Sequence, residues 1–349
     1  MRVIQRLDEF ASKAHSPVAV ALGNFDGIHL GHQAIFRVVK EKSSRLGGMS
    51  SVVTFHKHPQ HVLGHKTEAL VLTSLFQKLS LLEKSGIDSC FLLEFSKEFA
   101  EKSAEAFVKE ILIDQIGAKA ICMGLDARFG KDRLGNSALM RQLAGAHSFD
   151  FEKVAPVKIG SQLISSSLIR NLIQMGNLEE ASKMLGRIFS FDGKVVPGSG
   201  RGTGLGFPTA NLKTESEVLP PYGVYAVFAN VVENHTRPNE EGFQFSRNIL
   251  KKELPAVMNY GVRPTFGEKM AVIEIHILDS REDLKGKTLE IGVVRKIRDE
   301  KHFKNEKELS GQIAEDVLVA REILGQESRN SLGSKNQTEE PNQAPQLCR

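Results

Sequence analysis

The sequence predicts an α/β protein: a doubly wound, Rossmann-like N-terminal domain followed by a small antiparallel β-barrel with a closing helix. Three observations carry this. From residue 18 to about 185, short apolar runs alternate with helical stretches, the pattern of a parallel sheet covered on both faces. After Leu185-Gly186-Arg187 the helices give way to short strands joined by Gly- and Pro-containing turns, as in a small barrel. A length of 349 residues fits two domains. The boundaries read as 1–185 and 186–325. Residues 326–349, dominated by Gln, Asn, Ser, Glu and Pro, read as a disordered tail.

In the first domain the apolar runs Val18–Leu22, Ser51–Phe55, Cys90–Leu93 and Lys119–Met123 are candidate strands. His32–Ser44, Ser74–Ser85, Ala104–Gln115 and Ser167–Met175 are candidate helices between and after them. In the second, Phe189–Val196, Tyr222–Val232, Leu254–Asn259, Ala271–Leu278 and Thr288–Ile297 read as strands. In Ala271–Leu278 the residues Ile273, Ile275 and Ile277 share one face, with Glu274 and His276 on the other. The polar stretch 233–252 reads as a surface excursion. Leu309, Ile313, Val317, Ala320 and Leu324 recur at helical spacing and mark the closing helix.

Apolar residues make up 41% of the chain, enough for ordinary cores. A formal charge of +4 is too small to mark a nucleic-acid binder, and the basic stretches 285–287 and 295–298 lack the interleaved aromatics of a stacking platform. Three widely spaced cysteines match no zinc or redox spacing and fit a reducing compartment. Residues 1–16 lack the apolar core of a secretory signal, and no run is long enough to span a bilayer. These features imply a cytoplasmic protein with neither nucleic-acid nor membrane partners; oligomeric state is left open.

The most informative stretch is Gly23-Asn24-Phe25-Asp26-Gly27-Ile28-His29-Leu30-Gly31-His32, at a strand-to-helix junction. The first amides of a helix lack internal partners and receive anions, and two histidines three apart on a helical turn face the same way. A second segment, Ser165-Ser166-Ser167 followed by Arg170, pairs hydroxyls at a helix start with a cation, although serines there also serve as plain caps. A third, Gly124–Lys131 with Asp126 and Phe129, follows a strand and can hold a nucleotide or its metal, or be an ordinary loop. His56, His58, His61 and His65 match no helix-borne ligand set and read as a loop over the site.

In the second domain, Gly198, Gly200, Gly202, Gly204 and Gly206 place five glycines in nine residues, so backbone amides can approach a phosphate chain. The order of a P-loop is absent. In an extended segment Thr209 and Asn211 offer side-chain oxygens on one side, suited to Mg2+ shared with nucleotide phosphates. Glu274 stands open between a general base for a hydroxyl and a barrel-rim carboxylate paired with a lysine.

Together these segments resemble the bacterial bifunctional riboflavin kinase/FMN adenylyltransferases from about Val18 to Leu324. The resemblance rests on Leu22–His32, Ile164–Arg170, Leu185–Arg187, Gly206–Leu212, Asn259–Phe266, Ile273–Asp279 and Arg298–Phe303. It implies a transferase that phosphorylates riboflavin with ATP to FMN and then joins FMN to AMP, giving FAD and pyrophosphate. It implies a nucleotidyltransferase module in which Gly23, Asn24, Phe25, Asp26, His29, His32, Ser165, Ser166, Ser167 and Arg170 bind ATP. Of these, His29, His32 and Arg170 would be catalytic, while Asp126 and Phe129 meet FMN. In the kinase module it implies that Gly198, Gly200, Gly202, Gly206, Thr209 and Asn211 bind ATP, Thr209 and Asn211 holding Mg2+. Glu274 would be the base, and Arg298 and Phe303 would contact flavin. The chain departs from the pattern at Lys57, Leu125, Ala127 and Asn136. Two rivals remain: a flavin- or RNA-binding regulator, and a nucleotidyltransferase for another phosphate ester, which would not need 198–211.

Overall fold

The computed structural model describes residues 1–335, except 12, 14–15, 57–69, 199–203, 205, 266–267 and 281. The chain divides into two compact units. The first comprises residues 1–193, 214–221 and 231–250, the second 194–213, 222–230 and the chain from 251 onward.

The first unit is a twisted, mostly parallel sheet. Its strands are β1 (Arg2–Ile4), β2 (Val18–Leu22), β3 (Met49–Phe55), β4 (Ser89–Leu93), β5 (Ala118–Gly124) and β6 (Asp150–Val154), in spatial order β6-β5-β2-β3-β4-β1. Strand β2 is buried along its length and reads as an unbroken apolar run, because both of its faces are covered. Val18, Val20 and Leu22 point into one layer with Phe107, Leu112 and Met140; Ala19 and Ala21 point into the other with Phe36, Val39 and Leu79. The covering helices are α1 (Leu7–Ala11), α2 (Leu30–Leu46), α3 (Leu75–Lys84), α4 (Ala104–Ala106, continuing as a π-helix over Phe107–Gln115) and α5 (Ser137–His147). After β6 come the antiparallel pair β7 (Lys158–Ile159) and β8 (Gln162–Leu163), then α6 (Ser166–Gln174) and α7 (Leu178–Leu185).

Strand order reverses between β2 and β5, so the crevice at their carboxyl ends is where an open parallel sheet receives a ligand. Both Gly23–His32 and Gly124–Lys131 leave the sheet there.

The second unit supplies most of a closed barrel; residues 190–193, 214 and 231–250 of the strands named next group with the first unit. Strands β9 (Ser190–Val196), β10 (Ala210–Thr214), β11 (Gly223–Asn239), β12 (Gly242–Thr265), β13 (Glu268–Ile277) and β14 (Thr288–Arg298) run in the order β11-β14-β9-β10-β13-β12, and β12 pairs back to β11. Closure removes exposed strand edges. Helix α8 (Glu306–Lys335) lays Ala320, Ile323 and Leu324 on Val224, Ala226 and Val257.

Two expectations change. Residues 233–252 are not a surface excursion: they complete a hairpin whose turn is held by Asn239 Oδ1, which accepts from the amides of Glu241 and Gly242 at 3.0 and 2.8 Å. Gly242, Phe243 and Gln244 pair antiparallel with β1, adding an edge strand to the first unit's sheet. Phe245 is fully buried in that unit's core with Phe243 packed beside it, a two-residue period masked by the charges around it. The closing helix also runs past Gly325 to Lys335, its docked turns supplying the costly nucleus from which further turns propagate. Residues 336–349 lie outside the described residues.

Candidate active sites

The Gly23–His32 turn leaves β2 under strain. Phe25 (φ 49°) and Ile28 (φ 38°) take left-handed backbone although neither is glycine, and both side chains are buried. Each such residue costs on the order of 1–3 kcal/mol and persists where its surroundings over-determine it. Those surroundings centre on Asp26. Its buried carboxylate accepts from the Leu72 amide at 3.0 and 3.1 Å, the Thr73 amide at 3.2 Å and the Thr73 hydroxyl at 3.3 Å. Arg170 from α6 donates to it at 2.9 Å, and Ser166 Oγ donates to the Asp26 carbonyl at 2.9 Å. Asp26 therefore organises the turn through oxygens that are already engaged, and Phe25 offers only backbone. Arg187 donates to the carbonyls of Gly27 and Ile28 at 2.6 and 3.1 Å, holding the turn from the other side.

The two histidines stack, ring centroids 3.6 Å apart at 19°. His29 caps α2, its Nδ1 accepting from the His32 amide at 3.3 Å, so the neutral ring carries its proton on Nε2 as a donor. A Cβ on Gly31 would come within 3.0 Å of the His29 ring, so the glycine admits that packing. Burial pulls His29 down to about 4, and His32 falls well below the ordinary imidazole range for the same reason, aided by His29, Lys78 and Arg187. Both rings are neutral donors at pH 7. His32 Nδ1, Asn24 Oδ1 and Arg170 Nε are buried without a hydrogen-bond partner among the described residues. Gly23 must lack a Cβ, which would sit 2.9 Å from the Phe25 ring. Ser165 is the N-cap of α6 and accepts from the Leu168 amide at 3.2 Å; Ser167 accepts from Arg170 at 3.4 Å.

Sequence reasoning missed Lys78 and Thr73, which lie outside the glycine-rich motif, and named Arg187 only within the landmark Leu185–Arg187, without a role. A lysine within the otherwise apolar period of α3 was the available signal for the first.

The Gly124–Lys131 loop is split in character. Asp126 is exposed, whereas Phe129 is 8% exposed and packs against Phe107 in the core. Asn136 caps α5, accepting from the amides of Ala138 and Leu139 at 2.9 and 3.1 Å, a task Asn and Asp share. His56 extends β3, its amide donating to the Leu93 carbonyl at 2.9 Å; His58, His61 and His65 lie outside the described residues.

In the barrel, register brings the predicted groups together. Asn211 on β10 stands directly opposite Glu274 on β13, and Asn259 on β12 stands opposite Glu274 from the other side. Directly paired residues project to the same face, so Asn211, Glu274 and Asn259 form one polar row, while Ile273, Ile275 and Ile277 are buried. Two residues along β13 from Glu274, His276 Nδ1 meets the Pro208 carbonyl at 2.9 Å and its ring meets Phe207 edge-on. That pins the segment carrying Thr209. A Cβ on Gly198 would fall 1.8 Å from Asn211 Nδ2, so this glycine lets backbone close on the asparagine. Gly206 has φ +86°. Gly200 and Gly202 lie outside the described residues.

Arg298 makes a fork with Asp316 of α8 (2.7–3.1 Å) and lies 5.7 Å from the Phe303 ring centroid. Its guanidinium thus ties the 298–303 segment to the closing helix, and Asp316 is a partner the sequence reading did not name. Among the described residues no three His, Cys, Asp or Glu side chains gather as a metal site. The neutral oxygens of Thr209 and Asn211 are a donor set that suits a hard cation sharing its charge with phosphates.

Comparison with known proteins agrees with both halves. The FAD synthetase family model matches residues 11–168 and the riboflavin kinase model residues 185–324. A bifunctional riboflavin kinase/FMN adenylyltransferase of Buchnera aphidicola is 32% identical over 326 residues, covering 93% of this chain and 98% of its own. Its Escherichia coli K12 counterpart is 31% identical over 325 residues with the same coverage. A crystal structure described as a macrolide-efflux protein from Streptococcus pneumoniae superposes with a TM-score of 0.76 at 29% identity, covering 92% of this chain and 99% of that one. Among the described residues of this chain no helix is long and apolar enough to cross a membrane.

Proposed function

This chain belongs to the bifunctional riboflavin kinase/FMN adenylyltransferase family, and on that premise we propose that it makes FAD in two steps at two separate sites. The observation that carries the division is the pair of unlike constellations: a neutral imidazole stack beside an arginine in the first unit, and a carboxylate flanked by asparagines in the second.

In the barrel the riboflavin 5′-hydroxyl must lose a proton as it attacks the γ-phosphorus of ATP, whose bond to the β–γ bridging oxygen breaks to release ADP. Glu274 accepts that proton, Asn211 and Thr209 orient the phosphate chain, and backbone amides near Gly198 and Gly206 line it. Mg2+ on Thr209 and Asn211 would neutralise charge on the triphosphate. Phe303 offers an aromatic face for the flavin, and Arg298 acts through Asp316 by holding that segment in place.

Adenylyl transfer needs no base, because the attacking FMN phosphate oxygen is already anionic. A new P–O bond forms at the α-phosphorus of ATP as the bond to the β-phosphate bridge breaks, and pyrophosphate leaves. His29 and His32 donate to the polyphosphate, Arg170 contributes positive charge, and Asp26 keeps Arg170 and the turn aligned. Asp126, exposed on the loop that follows β5, serves in this reading as the polar contact for FMN. The same reading implies a cytoplasmic enzyme, where ATP is at hand and Cys90 and Cys122 stay reduced.

The test is incubation with riboflavin, ATP and Mg2+, followed by chromatographic separation of riboflavin, FMN and FAD. His32→Ala lowers FAD formation on the order of 10²-fold or more and spares FMN formation. Glu274→Gln lowers FMN formation by about 10²- to 10⁴-fold and still yields FAD from supplied FMN. Equal loss of both products in either folded variant refutes the division.

A further inference from the structure

We propose that Lys78 is a positioning residue of adenylyl transfer: a buried ammonium that holds the Gly23–His32 turn through the Asn24 carbonyl and lends its charge to the polyphosphate. The inference rests on reading that turn as the ATP site.

Lys78 sits in the first turn of α3 and is 6% exposed. Lysine is almost never so buried unless paired. Its Nζ donates to the Asn24 carbonyl at 3.1 Å, the same oxygen that accepts from Thr54 Oγ1 at 3.0 Å. Among the described residues no carboxylate lies within ion-pair distance. Asp26, which acts on Lys78 through its charge, already accepts from Leu72, Thr73 and Arg170. The other groups that face Lys78 are His32, whose proton affinity it lowers, and Cys90, whose thiol burial pushes up to about 12 and keeps neutral. Beyond His32 stand His29 and Arg187, and Arg170 lies across Asp26.

A buried cation is costly when no paired carboxylate repays its desolvation. A lysine that served the fold alone is therefore poorly explained. On the turn held by this lysine His32 Nδ1 is buried without a partner, and so is Arg170 Nε on α6; as N–H donors both would be satisfied by an anionic ligand. The carbonyl contact adds a mechanical role, because Asn24 immediately precedes the left-handed Phe25.

The experiment compares Lys78→Met, Lys78→Gln and Lys78→Arg with His32→Ala and wild type. It measures FMN adenylylation kinetics, heats of binding of magnesium pyrophosphate, and the pH profile of kcat/KM for ATP. Riboflavin phosphorylation by the same samples and urea-dependent labelling of Cys90 report folding. Lys78→Met should fold, raise KM for ATP and weaken pyrophosphate binding on the order of 30-fold. Lys78→Arg should recover most of both. The wild-type alkaline limb should fall below the ordinary lysine range of about 10.4 and move upward in Lys78→Arg. Retention of KM and pyrophosphate binding within about twofold in Lys78→Met, while His32→Ala has lost adenylyl transfer, overturns the role of Lys78 alone. Retained adenylyl transfer in His32→Ala overturns the site assignment beneath it. Where Lys78→Met labels as unfolded, equal losses in Lys78→Gln and Lys78→Arg overturn the proposal, and loss confined to Lys78→Gln supports it.

Discussion

Acidification puts the histidine stack to a quantitative test. Burial lowers His29 from 6.5 to about 4, so the fold accommodates the neutral ring and the unfolded chain binds the proton more readily. Its stabilising contribution is complete above pH 6.5 and is lost as pH falls through the unfolded value toward the folded one. Those two values amount to about 3 kcal/mol in full, of which about 2 kcal/mol is lost between pH 8 and pH 5. His32, displaced in the same direction, adds to the loss. The probe must report on the first unit. The chain has no tryptophan, and Tyr222, Tyr225 and Tyr260 all belong to the second unit, so tyrosine emission is blind to this one. Cys90 and Cys122 are free and buried in the first unit's sheet. Their reaction with 4,4′-dithiodipyridine across a urea series, in a Cys348→Ser background, gives the unfolding midpoint even at acid pH. The midpoint should fall between pH 8 and pH 5, and His29→Asn should reduce that fall by about 2 kcal/mol. Asparagine is chosen because it can replace the His29 cap on the His32 amide. A midpoint that stays put on acidification, or shifts equally in His29→Asn, refutes the reasoning.

Two further outcomes follow from packing. Phe245→Ala should destabilise the first unit by about 3–5 kcal/mol in the same labelling assay, because it empties a fully buried site in that unit's core; unchanged labelling would mean the hairpin is not part of that core. Gly198→Ala should abolish FMN formation and leave FAD formation from supplied FMN intact, since the new methyl displaces the Asn211 amide from 1.8 Å away. Normal phosphorylation in that variant would remove Asn211 from the kinase site.

Much of this protein is legible along the chain because its signals are local. An unbroken apolar strand announces burial on both faces, and β2 to β5 appear where such runs stand. Glycines and histidines at a strand-to-helix junction announce an anion site, since the amides there lack partners whatever the rest of the fold does. Strands β1 and β6, too short or too polar to stand out, were not legible, and neither was the antiparallel edge supplied by residues 242–244.

The sequence by itself determined the order of elements, the two anion-receiving segments and the family to which they point, because each is written in contiguous residues with a fixed period. Tertiary structure alone decided which charges meet. It set Arg170 on Asp26, buried Lys78 under Asn24, turned Phe129 inward and placed Asn211 opposite Glu274. Those pairings join residues 54 to 144 positions apart, and a contact across such a span is fixed by strand order and register rather than by any local preference.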